Sequence, residues 1–190
     1  DARNPSRFAP TQLLLAHAAL AIDGAPRLLR AVRAARQGFG LAQASDTDTD
    51  VSIGGWRLQR LADDRYLAHI DAKDFALDLV FVPPHPPFPQ GDAGHSRKGP
   101  APTQASHYYS RPQMRVDGRL RAPGIGGGES MAAAGVAWLD HEWSSELLHP
   151  DAAGWDWAGL NLDDGSALMA FRIRTRDNGV LWSHARWIGA

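Results

Sequence analysis

Residues 52–82 contain three segments of one pattern: Ser52-Ile53-Gly54-Gly55-Trp56-Arg57-Leu58-Gln59, Tyr66-Leu67-Ala68-His69-Ile70 and Phe75-Ala76-Leu77-Asp78-Leu79-Val80-Phe81-Val82. Within each segment apolar and polar side chains alternate, as they do along a strand with one buried face. Polar turn residues separate the segments at the spacing of about 8 to 12 residues that is typical of antiparallel β sandwiches and barrels. The sequence therefore predicts an all-β fold.

The C-terminal half continues this pattern. We predict further strands at residues 106–110, 114–121, 133–139, 155–162, 167–174 and near 181–182. The Asp-Gly pair in Asp163-Asp164-Gly165-Ser166 supplies the turn of a hairpin, and residues 124–128 are predicted to form a flexible hairpin tip. Residues 83–102 are rich in Pro and Gly and are predicted to form a long loop.

The N-terminal region is more ambiguous. Residues 12–21 form an apolar run interrupted only by His17, which fits a buried strand or a short buried helix. After a turn at Asp23-Gly24-Ala25-Pro26, apolar residues recur at helical spacing between arginines as far as Gly38. We predict a short amphipathic helix here. Its basic face is expected to face solvent, although such a helix can also associate peripherally with a membrane.

The composition excludes several classes of protein. Twenty Lys and Arg against 21 Asp and Glu give a net charge of -1, so nucleic acid is not an expected partner. The chain has no cysteine, which excludes disulfides, thiolate catalysis and Cys-ligated metals but leaves the redox compartment open. No apolar run reaches the roughly 18 to 20 residues that a membrane-spanning helix needs.

Two short motifs fail as catalytic signatures. Gly94-His95-Ser96-Arg97-Lys98-Gly99 has Lys where a G-x-S-x-G nucleophile elbow needs its second Gly, and it lies in a predicted loop, which its polar residues are expected to cap and pin. His141-Glu142 lacks the second His of a zinc protease helix, because position 145 is Ser. We predict no serine nucleophile, no metal and no cofactor.

The densest cluster of candidate functional residues is Trp138-Leu139-Asp140-His141-Glu142-Trp143-Ser144. Strand alternation puts Trp138, Asp140 and Glu142 on one face and Leu139, His141 and Trp143 on the other. A carboxyl group held against apolar surface can donate a proton near neutral pH, and imidazole is the other natural acid–base group. The catalytic candidates are therefore Asp140, His141 and Glu142. The alternative is a buried network with Arg172 or Arg174 that anchors a domain junction.

Aromatic residues supply candidates for ligand binding. Trp155-Asp156-Trp157 places both indoles on one face of a strand and the carboxylate on the other. Such indoles either line an apolar cavity or fill one end of a barrel. Tyr108 and Tyr109 point to opposite faces, so one of them is expected to line the interior. The predicted ligand-binding residues are Trp138, Trp143, Trp155, Asp156, Trp157, Tyr108 and Tyr109.

The sequence resembles the carotenoid 1,2-hydratase/AttH family (CrtC/AttH) over nearly its whole length. The matching segments, in order, are Phe8-Ala9, Ala16-His17-Ala18-Ala19-Leu20, Gly94-His95-Ser96-Arg97-Lys98-Gly99, Tyr108-Tyr109-Ser110, Ala137-Trp138-Leu139-Asp140-His141-Glu142-Trp143-Ser144, Gly154-Trp155-Asp156-Trp157 and Leu162-Asp163-Asp164-Gly165. The Trp-Leu-Asp-His-Glu-Trp-Ser string is the most specific of them.

The resemblance implies two consecutive lipocalin-like domains. The implied fold is an antiparallel lipocalin-like β-barrel or sandwich with one short helix, followed by the first strands of a second similar domain. Residues 1–147 would be most of the first domain and residues 148–190 the beginning of the second. The chain starts at Asp1 without a start Met or signal peptide, so we expect an interior piece of a longer protein. Family members are usually exported, which implies the bacterial periplasm or secretion.

For the hydratases the family chemistry is cofactor-free addition of water to a double bond of an acyclic carotenoid. The resemblance matches their His and Trp to His141 and Trp143. Their downstream Tyr and Asp would fall near residues 169–171, where this sequence has no acid or phenol, so Asp140, Glu142 or Asp156 would have to replace the proton donor.

Three functions follow from the resemblance. The first is binding of an elongated apolar molecule, a polyene or a lipid, with acid-assisted hydration of a C=C bond. The second is a non-catalytic carrier of apolar ligands or a cell-envelope accessory protein. The third, a secreted hydrolase, lacks a nucleophile motif. The sequence predicts no oligomeric state.

Overall fold

The computed structural model describes residues 6, 8–10 and 12–190, and within these residues it contains fourteen β strands and one short 3-10 turn at Gly126–Gly128. The strands are β1 (Leu13–Leu20), β2 (Leu29–Arg36), β3 (Ala42–Ala44), β4 (Asp50–Ile53), β5 (Trp56–Arg60), β6 (Tyr66–Asp71), β7 (Ala76–Val82), β8 (Phe88–Pro89), β9 (His95–Arg97), β10 (Ala105–Arg121), β11 (Met131–Trp143), β12 (Ala152–Asn161), β13 (Ala167–Thr175) and β14 (Val180–Ile188). The predicted all-β class is confirmed.

The strands form three antiparallel sheets. β1 pairs with β2, and β12, β13 and β14 form a second sheet in that order. The largest sheet has the order β11-β10-β7-β6-β5-β4-β3, and β8 and β9 pair separately with β10. Most neighbours in space are also neighbours in sequence, as expected for a fold built from hairpins.

The predicted amphipathic helix is wrong, because this segment is strand β2. It pairs with β1 over eight positions, from Leu20 opposite Leu29 to Leu13 opposite Arg36. Alternate residues of β2, including Ala31 and Ala35, pack against the apolar core. Alanines at this spacing fit a helix and a strand alike, so the pairing with β1 decides the conformation. The apolar run at residues 12–21, which fits a strand or a helix by its sequence alone, contains strand β1.

Turns and loops account for the other differences. The first alternating segment is a hairpin rather than one strand, because Gly54 and Gly55 adopt positive φ angles of 53° and 91° between β4 and β5. The predicted long loop at residues 83–102 contains the short strands β8 and β9. The strands predicted on either side of Gln113 form one strand, β10, in which Gln113 itself has φ 56°.

The chain divides into two compact units. The first consists of Asp1–Val82 and Val116–Gly135, and the second of Pro83–Arg115 and Val136–Ala190. In the first unit the core surrounds the fully buried Phe75. Trp56 lies in this core, donates from Nε1 to the Asp71 carbonyl at 2.8 Å and carries the Arg33 guanidinium over its ring.

The second unit contains β8, β9, residues 105–115 of β10, residues 136–143 of β11, and the β12–β14 sheet. Its buried apolar residues include Met169 and Ile173 of β13. The predicted division into residues 1–147 and 148–190 stays a prediction. Among the described residues, no helix has the length and apolar character needed to cross a membrane.

We predict that Gly118→Ala destabilises the chain by about 1–3 kcal/mol, the usual cost of inserting a methyl group into filled space. A Cβ at Gly118 would lie 2.1 Å from the Asp78 carbonyl oxygen of the neighbouring strand β7. Gly135 in β11 is the matched control, since a Cβ there meets nothing within 4 Å. Urea unfolding should show a change within about 0.5 kcal/mol for Gly135→Ala. Equal losses of unfolding free energy for the two variants would contradict the close approach of Gly118 in β10 to Asp78 in β7.

Candidate functional site

Strand β11 presents different chemistry on its two faces. On one face, Asp140 Oδ1 accepts hydrogen bonds from Trp138 Nε1 at 2.8 Å and from Ser110 Oγ at 2.5 Å. On the other face, His141 Nδ1 lies 3.0 Å from the Tyr109 hydroxyl, and the rings of His141 and Trp143 meet edge to face at 5.2 Å. The alternation predicted for this segment is therefore observed.

A buried tyrosine lies on the Asp140 face. The Tyr108 hydroxyl accepts a hydrogen bond from Trp157 Nε1 at 3.1 Å. Burial raises the pKa of Tyr108 to about 12; hydrogen bonds with Ser110 and Trp157 oppose the rise, and the Asp140 charge adds to it. Behind it, Gln90 Nε2 donates to Ser110 Oγ at 2.9 Å. Tyr108 is therefore a neutral phenol at physiological pH, held within a continuous hydrogen-bond network.

A cavity of about 210 Å³ lies beside Tyr108 within the second unit. Its polar lining comes from β9, β10, β11 and the residue after β9: Ser96, Lys98, Tyr108 and Glu142. Its apolar lining comes from β12, β13 and the segment before β12: Leu148, Trp155, Trp157, Phe171 and Ile173. The Trp157 ring is supported from behind by Trp138, with 6.1 Å between the ring centroids and 77° between their planes.

The AttH-like family model matches the chain over residues 1–190. The chain belongs to the AttH-like family. Its structure is similar to the crystal structure of an AttH protein from Nitrosomonas europaea, with 47% sequence identity and a TM-score of 0.87 over 96% of this chain and 56% of that one. The family resemblance derived from the sequence is thereby confirmed.

A second similar structure is kievitone hydratase from Nectria haematococca, with 17% identity and a TM-score of 0.64 over 86% of this chain and 48% of that one. At this identity the similarity concerns the fold. The AttH-like chain spans about half the length of these two proteins. The search of curated proteins gave no match.

The structure brings only some of the predicted site residues of this AttH-like chain to the cavity. Tyr108, Glu142, Trp155 and Trp157 line it. Trp138 and Asp140 lie behind these residues, in contact with Trp157 and Ser110 respectively. The structure thus answers which of the two adjacent tyrosines faces the interior.

The remaining candidates on β10 and β11 lie on the opposite face. His141, Trp143 and Tyr109 form a ring cluster there, and His107 stacks on Trp143 with 5.2 Å between ring centroids. All these contacts lie within the second unit, but none of the four residues lines the cavity. The two residues that the resemblance matches to the hydratase His and Trp therefore belong to this cluster.

Asp156 also points away from the cavity. Its carboxylate accepts hydrogen bonds from Arg172 Nε at 2.6 Å and Arg174 Nε at 3.1 Å. The Arg172 hydrogen bond is the main reason that the pKa of Asp156 lies below its ordinary value. The alternative in which Arg172 or Arg174 is a partner of the cluster around Asp140 does not agree with these contacts, because both arginines pair with Asp156 on their own sheet.

Several cavity residues were not predicted. The sequence predicts that Ser96 and Lys98 pin a loop, yet both line the cavity, and Lys98 Nζ also donates to the Glu146 carbonyl at 2.7 Å. Their spacing of two residues is the strand signal that the Gly- and Pro-rich surroundings obscured. The same alternation in the predicted strand at residues 167–174 puts Phe171 and Ile173 on one face. Within the part of the chain that the structure describes, no three His, Asp or Glu side chains are grouped to hold a metal ion.

We predict that one tyrosine ionises with a midpoint of about pH 12, and that Tyr108→Phe removes this component from a phenolate absorbance titration. Because the folded pKa lies above the ordinary value near 10, the linked stability is complete below about pH 10. It is lost as the pH rises through 12. Raising the pH above 10 should therefore lower the free energy of unfolding, measured in urea, more for the parent chain than for Tyr108→Phe. An ordinary midpoint for every tyrosine would contradict the burial of this phenol.

Proposed function

We propose that the cavity of the second unit binds one end of an elongated, unsaturated apolar molecule. The observation that supports this most directly is the apolar wall formed by Trp155, Trp157 and Phe171, where flat rings can pack against a conjugated or branched chain. At about 210 Å³ the cavity is smaller than the roughly 300–1,000 Å³ of sites that enclose drug-sized ligands. It therefore accepts the end of a polyene or lipid chain and leaves the remainder outside.

A second candidate function is acid-assisted addition of water to a double bond in this chain end. Glu142 lines the cavity and, in its protonated form, supplies the proton to a carbon, while Tyr108 lines the same wall as a neutral phenol. Protonation of one alkene carbon leaves a carbocation on the other, and water then adds there and returns a proton to the carboxylate. The indole faces of Trp155 and Trp157 suit the transient cation.

Asp140 and His141 have supporting roles in this proposal. Asp140 accepts hydrogen bonds from Trp138 and Ser110 and so positions the residues behind the cavity. His141 is held by Tyr109 on the opposite face of β11. In the carrier alternative these two residues act in the same way, and Glu142 has no chemical role.

Replacement of one cavity indole tests ligand binding. In the full-length protein, Trp155→Leu should weaken the binding of farnesol, an unsaturated isoprenoid alcohol, by about tenfold or more, because one aromatic wall is lost. Trp187→Leu is the matched control: Trp187 is 58% exposed against 61% for Trp155, but it does not line the cavity. Quenching of tryptophan fluorescence measures both affinities. An equal effect of the two substitutions would exclude the cavity as the binding site.

Hydration is tested by the mass of the product, which gains one water molecule. If the second function holds, Glu142→Gln should lower farnesol turnover by about 10²–10⁴-fold, the usual contribution of a general acid, with little change in melting temperature. His141→Ala should retain most of the turnover because His141 lies on the opposite face of β11. Farnesol binding without turnover in the unsubstituted protein would favour the carrier, and a larger loss for His141→Ala than for Glu142→Gln would reject the proposed role of Glu142.

A further inference from the structure

One wall of the cavity carries polar groups that a hydrocarbon ligand has no atoms to pair with. It carries an ammonium group, a carboxylate and two hydroxyl groups, contributed by Lys98, Glu142, Ser96 and Tyr108. A pure hydrocarbon that fills the space between the walls removes water from the ammonium and carboxylate groups and offers them no hydrogen bond in return. Desolvation of an unpaired polar group is among the larger penalties in binding.

Lys98 is the clearest case. Its ammonium group has three N–H bonds. One donates to the Glu146 carbonyl at 2.7 Å, and the other two have no partner among the residues that the structure describes. The side chain is half-buried and lines the cavity, so a bound ligand competes with water for these two donors.

The charge of the cavity restricts the oxygen group that fits there. Lys98 and Glu142 are the two charged residues that line it, one cationic and one anionic. A ligand carboxylate is attracted by the first and repelled by the second, whereas a neutral hydroxyl or carbonyl oxygen accepts from the ammonium group without a Coulomb penalty. The polar wall therefore matches an uncharged oxygen.

We infer that Lys98 selects ligands in which the unsaturated chain ends in a hydroxyl or carbonyl oxygen, in preference to hydrocarbon polyenes. This inference rests on the proposed function of the cavity and names its ligand class: an oxygenated, unsaturated amphiphile. The oxygen accepts a hydrogen bond from Lys98 Nζ on the polar wall, and the chain lies against the indoles of Trp155 and Trp157 on the apolar wall. Lys98 is a specificity-determining residue in this arrangement, with no part in proton transfer.

The experiment compares farnesol with its deoxy analogue, 2,6,10-trimethyldodeca-2,6,10-triene, which has the same skeleton without the hydroxyl group. In the full-length protein, fluorescence quenching should give a Kd for farnesol at least about tenfold lower than that for the triene. A site without a polar requirement would show the opposite order, because the hydrocarbon is the more hydrophobic of the two.

Variants of Lys98 separate recognition from a structural role. Lys98→Met should weaken the binding of farnesol alone and so bring the Kd of the triene divided by the Kd of farnesol to about one or below. Lys98→Arg should retain most of the preference for farnesol. Lys73→Met is the matched control, because Lys73 is the other lysine of the chain and lies in the first unit. This substitution should leave the ratio unchanged. If Lys98→Met weakened the binding of both ligands equally, Lys98 would only hold the backbone at Glu146 in place, and the inference would be overturned.

The outcomes also distinguish this inference from the proposed function. Binding of neither compound, or binding of both that is insensitive to Trp155→Leu, rejects the cavity as a ligand site. Tight binding of the triene that depends on Trp155 and not on Lys98 keeps the proposed function and rejects the inference alone.

Discussion

Asp140 Oδ1 accepts two hydrogen bonds, from the indole of Trp138 two residues earlier on the same strand and from the Ser110 hydroxyl of another strand. These bonds fix which face of β11 is turned toward Tyr108, and so they fix the position of Glu142 on the cavity wall. Trp138 in turn supports Trp157, which donates to the Tyr108 hydroxyl. The polar and the aromatic walls are thus linked through one carboxylate oxygen.

The two walls answer different requirements of a ligand. Indole and phenyl faces gain energy from any apolar chain, in proportion to the apolar area that is buried against them. The hydroxyl, ammonium and carboxylate groups opposite them gain energy only from a partner with oxygen atoms in suitable positions. Membership of the AttH-like family gives the frame in which these walls are built. Similarity at 17% identity to a hydratase gives that frame alone, so the chemistry proposed for this chain rests on its own side chains.

The sequence predicted most of the strands and the alternation along Trp138 to Trp143, because a period of two is a property of the local chain. It failed for β2, where alanines and arginines fit a helix and a strand equally and pairing with β1 decides. It also failed for Ser96 and Lys98, since β9 is a three-residue strand whose pairing with β10 is invisible to local periodicity. Partners distant in sequence, such as Arg172 for Asp156, follow from register between strands, which the local pattern does not contain.

The division of β11 into two chemically distinct faces limits how this strand can vary in length. Insertion or loss of one residue between the hairpin tip and Asp140 would turn His141 and Trp143 toward Tyr108 and move Glu142 to the opposite side. A change of two residues would instead preserve the parity of every side chain and only shift the cluster along the strand. Among homologous chains, length differences in this segment should therefore be even, or be absorbed in the glycine-rich tip at residues 124–128 or by a bulge that restores the frame.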